Sequence, residues 1–278
     1  MNKKFFCVIS AAFGLFLLTS CNNGKTGMME SSMSDSLVLN VDSLEADVLV
    51  QIDSLTDEFV ALGNNGQIVA AKDSLAELSK REKLLRPDYL LDPNATTKLV
   101  TLIQKRSALA ILLVERSVRD AYGMPLTEAE KAIARMSLEV NDPALVADSQ
   151  SSLPLDEIIR LKIDYYRKHK RLDSFWGFTE AVLNEQLYLA AQNPDYYLNM
   201  VNDEDIATLH RRIELCSEAL DIYAQYDPDV ADIVEVRRKK LPLTDKKALD
   251  AFCSVENFRN FLIANKDAII EVRNSMIK

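Results

Sequence analysis

The sequence predicts an all-α protein built as antiparallel helical bundles, and three observations predict it. Apolar residues recur at steps of three and four, as in Leu44, Val48, Ile52, Leu55, Phe59 and Leu62. That spacing lines one face of a helix. Proline and glycine gather at breaks, at Gly63-Asn64-Asn65-Gly66, Pro87, Gly123-Met124-Pro125, Asn193-Pro194 and Asp227-Pro228, where they stop or start helices. No alternating β-branched run competes as a strand.

The elements follow in order. The first helix, with the stripe from Leu44 to Leu62, ends at Gly63. A second carries Ile68, Ala71, Leu75, Leu78 and Leu85 and stops before Pro87, because the residue preceding a proline is pushed out of helical conformation. Arg86 to Asn94, with two prolines, reads as a loop. A third helix runs from about Thr96 to Tyr122. Thr127 and Glu130 have capping-box spacing and open a fourth. Asp142-Pro143 restarts the chain as cap and first-turn proline, and Asp148–Pro154 is a longer connection that marks a domain boundary. A long pattern covers Leu155 to Gln192, with a kink expected near Gly177. Asp203 to Tyr226 is the cleanest heptad, Asp227-Pro228 begins a helix reaching Lys240, and one or two more follow from Thr244. The expected organisation is one bundle over residues 37–150 and a second over 151–278, with short antiparallel connections. No repeat keeps a period.

Residues 1–36 read differently. Lys3 and Lys4 form a basic start, Phe5 to Leu18 an apolar stretch, and Leu18-Thr19-Ser20-Cys21 closes it. The tetrapeptide resembles the lipobox of bacterial lipoprotein precursors. The resemblance implies cleavage after residue 20, lipidation of Cys21 through its sulfur and acylation of the new amine. About fourteen apolar residues fall short of the ~20 that span hydrocarbon, so the membrane is met through acyl chains. Residues 21–36 are small and polar, a tether reaching on the order of 20 Å as a coil. In lipoproteins of the enterobacterial type, an aspartate after the lipid cysteine favours inner-membrane retention. Asn22 therefore points to the outer membrane of a Gram-negative envelope, and the absence of acids before Glu30 points to its periplasmic face. Loss of residues 1–20 leaves 258 residues of net charge -11, against -9 for the whole chain. Such an acidic balance argues against nucleic acid as a partner.

Smaller patterns suggest sites. Asp-Ser-Leu occurs four times and resembles the acceptor of an O-glycosylation system of gut-dwelling Gram-negative anaerobes, which marks Ser36, Ser43, Ser54 and Ser74 as candidate acceptors. Asp and Ser are also good helix starts, so the pattern serves folding equally. Residues 26–71 hold eight acids and no Lys or Arg. Basic residues crowd at Arg160, Lys162, Arg167, Lys168, Lys170 and Arg171, and again at Arg237-Arg238-Lys239-Lys240. The acidic first helix is one candidate to dock on these faces, anionic lipid another and solvated helix surface a third. Aromatics concentrate between Tyr165 and Tyr226. Tyr196-Tyr197, beside a break, is the candidate ring-lined surface for a ligand, and core packing is the simpler use of such rings. Cys216 and Cys253 lie on apolar stripes, so two buried thiols and a disulfide are both open.

Catalytic and metal signatures are sparse. His169 and His210 are the two histidines, the first in phase with an apolar stripe and expected partly buried, the second beside Arg211 and Arg212 and expected exposed. Neither follows a carboxylate by three residues, and the sequence contains no His-Glu-x-x-His, Cys-x-x-Cys or Gly-x-Ser-x-Gly. No glycine occurs after Gly177, so no phosphate-cradling loop forms there. The functional expectation is a lipid-anchored envelope protein, without cofactor, metal or catalytic residue, whose helices bind a protein partner or play a structural role. The alternative is a binding module for a small ligand, glycan or cell-wall fragment. A hydrolase built from scattered carboxylates comes third.

Overall fold

The computed structural model describes residues 46–63, 87–140, 163–244 and 248–278, apart from the side chains of Asp229 and Ile233. These residues belong to one compact unit, and they are helical without a strand. In chain order the longer helices are α1 (Ala46–Ala61), α2 (Leu102–Ala121), α3 (Thr127–Glu139), α4 (Leu172–Gln192), α5 (Asp203–Tyr223), α6 (Pro228–Lys240), α7 (Val255–Ala264) and α8 (Lys266–Ser275). Short 3₁₀ turns stand at Pro93–Lys98 and Leu249–Phe252, and a single α-turn at Pro194–Tyr197. The all-α prediction holds for every described residue.

Helix ends show how local chemistry sets the elements. Gly123 takes φ 62° after α2, with its N–H on Asp120 O and the Met124 N–H on Arg119 O. That is the Schellman closure that glycine favours. The same closure ends the helical residues 163–168, but there Lys170 takes the left-handed φ of 53°. The expected kink near Gly177 is therefore misplaced. The chain breaks at Lys170, without a glycine to announce it, and Gly177 lies inside an unbroken α4. Thr127 is likewise the first residue of α3 and caps nothing. The capping boxes form at Thr101 with Gln104 and at Asn202 with Asp205, so α2 starts later than its apolar pattern suggested. Asn193-Pro194 ends α4 where expected and, beyond the expectation, opens the α-turn Pro194–Tyr197, while Asp227-Pro228 opens α6 where expected.

Helix α4 is the centre. It is buried along most of its length, with Gly177 exposed, and meets α2, α5, α7 and α8, as befits a helix without a continuous polar face. The α2–α4 contact is the most extensive between described helices. It joins the chain before and after the expected boundary at 148–154, which itself lies outside the described residues. Trp176 is fully buried, in edge-on contact with Phe175 (5.2 Å) and Phe59 (5.4 Å). The indole therefore anchors the core, and among the described residues its N–H has no hydrogen-bond partner.

Helix α1 docks on this core by Ile52, Leu55 and Phe59. Its acids meet one basic residue that the sequence set against them, Arg167, and one that it did not, Arg211. Arg167 binds Asp53 (2.8 Å) and Asp57 (2.7 Å), and Arg211 binds Glu58 (2.7 Å). Arg212 stacks over Phe59 at 4.9 Å and donates to Gly63 O. Exposed ion pairs contribute little, ~0–1 kcal/mol each, whereas truncating a buried aromatic costs about 3–5 kcal/mol. Urea denaturation of Phe59→Ala should lose stability in that larger range, and Arg167→Ala should lose about 1 kcal/mol or less. The reverse ranking would mean that charge, not packing, holds α1 in place.

Candidate functional site

Charge in the core is the least expected feature. Glu185 stands on α4 with buried Ala181, Tyr188 and Leu189 three and four residues away. Glu115 stands on α2 in the same kind of setting, beside Ile111, Leu112 and Val118. Both are 0% exposed, and their carboxyl groups face each other across Arg273 of α8. Arg273 Nε donates to Glu185 Oε2 at 2.9 Å and Nη2 to Glu115 Oε1 at 3.2 Å, and its guanidinium lies 4.7 Å over the Tyr188 ring. Arg119, one turn along α2, donates to Glu115 Oε2 at 2.9 Å. The Leu91 N–H donates to Glu115 Oε1 at 2.7 Å, and the Leu91 carbonyl accepts from Arg119. Burial pushes both carboxyls up. Glu185 is held well above the usual range, with Arg273 opposing and the facing Glu115 adding to the rise. Among the described residues its Oε1 accepts no hydrogen bond from a donor.

A second cluster sits further towards the N-terminus of α4. Glu180 accepts from Arg237 Nη1 at 2.8 Å and from Asn184 Nδ2 at 2.9 Å. Arg237 Nη2 donates to Ser217 Oγ at 2.8 Å. The Cys216 thiol lies 3.5 Å from Glu180 Oε2 and 3.6 Å from Trp176 O. Burial, reinforced by Glu180, pushes this thiol far up, so it stays a protonated donor and is a poor nucleophile.

Glu180 also borders a cavity of about 60 Å³ between α2, α4, α5 and α6. Asp173, Ser174 and Gly177 of α4 line it, with Arg106 of α2 opposite and Leu220 and Val230 as apolar walls. Ser174 Oγ donates to Asp173 Oδ2 at 3.1 Å and accepts from Arg171 Nη2 at 3.0 Å. Burial raises the Asp173 carboxyl, with Arg106 and Ser174 opposing. Among the described residues no group of three or more His, Cys, Asp or Glu is arranged to hold a metal ion.

The residues singled out from sequence are scattered. Tyr196 and Tyr197 are both 1% exposed, their rings 5.0 Å apart. Tyr197 Oη lies 3.1 Å from Tyr89 Oη. They are core, and offer no ring to a ligand at the surface. Arg167 is occupied by α1 and Arg171 by Ser174, while Lys168 and Lys170 are exposed. Cys216 is buried and Cys253 exposed, and the two are not bridged. The histidines reverse expectation. His210 is buried against the Phe252 ring at 4.5 Å and held below its ordinary pKa by burial. His169 is exposed, 4.3 Å from the Tyr165 ring. Phe252, brought by the 3₁₀ turn, covers the first, and the break at Lys170 turns the second outward. Ser54 is exposed on α1. Cys21, Ser36, Ser43 and Ser74 lie outside the described residues.

The buried acids and their arginines were missed. Their signal was present in part: Glu185 has apolar residues three and four positions away on either side, and Glu115 has Ile111, Leu112 and Val118 in the same phase, a phase that predicts burial whatever the residue. Comparison with family models, curated proteins and solved structures finds no match.

Because the folded Glu185 pKa is raised, the folded state holds its proton to higher pH than the unfolded chain. The stability it contributes is complete below the ordinary value of 4.5 and is lost as pH rises through the folded value. Glu185→Gln keeps a neutral group there, so its stability should fall less steeply than wild type above pH 4.5. Chemical denaturation across that range reads the slopes, and equal slopes would refute a raised Glu185. Arg273→Met strands the buried Glu185 and leaves Glu115 to Arg119 and the Leu91 N–H, and should lose about 3–5 kcal/mol.

Proposed function

We propose that this chain is an acylated lipoprotein of the outer membrane, periplasm-facing, whose helical body works by binding a protein partner. The anchor rests on the lipobox-like Leu18-Thr19-Ser20-Cys21 behind a basic and apolar stretch. No described helix is long and apolar enough to cross a membrane.

The observation that carries the partner reading is apolar exposure at one end of the α2–α3 hairpin. Val100 is 81% exposed and Leu138 79%, with Leu102 partly open between the two helices' ends. The Lys105–Glu139 ion pair at 2.8 Å ties those ends together. In contrast, much of the charge expected to meet a partner is used internally. Arg237 pairs with Glu180, Arg238 with Asp221, Lys239 with Glu235 and Lys240 with Glu271. Clustered apolar side chains on a polar surface are the stronger mark of an interaction site.

Two measurements test the two halves. Cys21→Ser should abolish incorporation of labelled fatty acid and move the protein from the outer-membrane fraction to the soluble periplasm. Unlabelled wild-type protein would sink the anchor. A photo-cross-linking residue at position 100 or 138, in native membranes, should capture one recurrent protein that a probe at exposed Lys131 does not. Identical capture at all three positions would remove the partner reading.

A further inference from the structure

His210 belongs to neither acid–arginine cluster, and it is the buried one of the two histidines. Its ring lies 4.5 Å from that of Phe252, the planes tilted by 33°. Phe252 packs in turn on Phe258 at 5.2 Å and Phe261 at 5.9 Å. The imidazole's backbone partner is Leu243. Among the described residues Nε2 has no partner, so the bond to the Leu243 carbonyl runs from Nδ1. The neutral ring fits this seat, with its one N–H bonded and the other nitrogen bare.

A second proton does not fit. It places a donor on Nε2 without an acceptor in reach, and a charge where burial opposes it. Glu214, one turn along α5, lies 3.8 Å from Nδ1 rather than from Nε2, and it is shared with Arg211 at 3.1 Å. The face of Phe252 attracts a cation, but by less than a buried donor loses without its hydrogen bond. Burial holds the imidazole below its ordinary value of 6.5, Arg211 adds to this, and Glu214 and the Leu243 carbonyl oppose it. Both charges that act on the ring therefore stand on α5. The 3₁₀ turn Leu249–Phe252 and the residue after it bring Asp250 and Cys253, both exposed. Helix α7 brings exposed Glu256 and Arg259, and Arg259 is held by Asp195. Asp245, Lys246 and Lys247 lie outside the described residues.

What covers the ring is lightly held. Among residues 249–254 Phe252 alone is buried, with Ala251 partly buried beside it. The polar bonds from Cys253 Sγ to Leu249 O at 3.3 Å and from Asn257 Nδ2 to Asp250 O at 3.0 Å join the turn only to itself and to α7. Helix α7 is fixed more firmly. Phe258 and Leu262 are fully buried, and the Val255 N–H donates to Asp203 Oδ1 of α5 at 2.8 Å. The turn is thus seated by one buried side chain, and that side chain rests on the histidine.

We propose that His210 and Phe252 form an acid-released latch: a proton taken from solvent on His210 lifts the 3₁₀ turn, lets the imidazolium reach water and uncovers the Phe258 and Phe261 rings. The closed latch is complete above pH 6.5 and is lost as pH falls through the folded value. In acid the body then gains an apolar face that it lacks at neutral pH. The latch depends on neither the membrane anchor nor the α2–α3 surface.

The test is a pH titration of the full chain in detergent. Carbon-13 at histidine Cε1 gives two resonances, His210 and the exposed His169. His210 should titrate below 6.5. Hydrogen exchange of residues 249–254, corrected for its intrinsic pH dependence, should rise at least fivefold with the same midpoint, while α4 stays protected. His210→Phe keeps a ring under Phe252 but takes no proton, and should remove this acid response. Phe252→Ala should open the turn at neutral pH and raise the His210 midpoint. The latch is overturned if His210 titrates at or above 6.5, if the turn ignores the His210 midpoint, or if His210→Phe responds as wild type does. An unmoved His210 midpoint in Phe252→Ala overturns it too, as does α4 losing protection at the same pH, which would be general acid unfolding.

Discussion

Helix α4 is buried along most of its length and yet carries Glu180 and Glu185, and the arrangement of the other helices follows from that conflict. A carboxylate in the core needs a cation and donors within reach, and an acid left alone there costs several kcal/mol. Glu180 is met by Arg237 from α6 and Glu185 by Arg273 from α8. Both partners come from the C-terminal part of the chain, and α2 joins them through Glu115. Replaced together by apolar groups of similar volume, such pairs would be no great loss. Their effect is on alternatives. Sliding α8 by one helical turn, ~5.4 Å, would strand Arg273 and Glu185. Among helices whose apolar faces are much alike, the buried pairs select one register.

The electrostatics therefore work in two layers. Inside, few pairs are short, shielded from solvent and tied to helix placement. Outside, Arg167 and Arg211 meet the acids of α1 across partly exposed surface, where salt screens attraction. The outer layer orients α1 and the aromatic contact of Phe59 with Phe175 and Trp176 fixes it.

Most of the helix map was legible because periodicity and Pro/Gly punctuation are local signals. The breaks at Gly123, Asn193-Pro194 and Asp227-Pro228 are read from neighbouring residues and formed where read. Lys170 shows the limit, since a left-handed lysine is imposed by the packing on either side and has no composition to betray it. Site reading failed for a related reason. Tyr196-Tyr197 stood beside a break and suggested a surface, but the following chain folds over it and buries both rings. His210 and His169 exchanged places because exposure depends on which element lies above a residue, here Phe252 over His210. Glu115, Glu180 and Glu185 had the phase of core residues, and the habit of placing acids outside outweighed it.

Glu180 belongs to both parts of the molecule, and this joins the core to the cavity. One face of its carboxylate is held by Arg237 and Asn184, and another borders the open space. The cavity wall is therefore as rigid as the core network behind it, with Ser217 and Cys216 completing the support. Asp173 accepts from the adjacent Ser174 hydroxyl, and Arg106 and Arg171 oppose the rise that burial gives its carboxyl. The same arginine–acid pairing that fixes the helix register thus also holds open the one wall of this cavity that the core supplies.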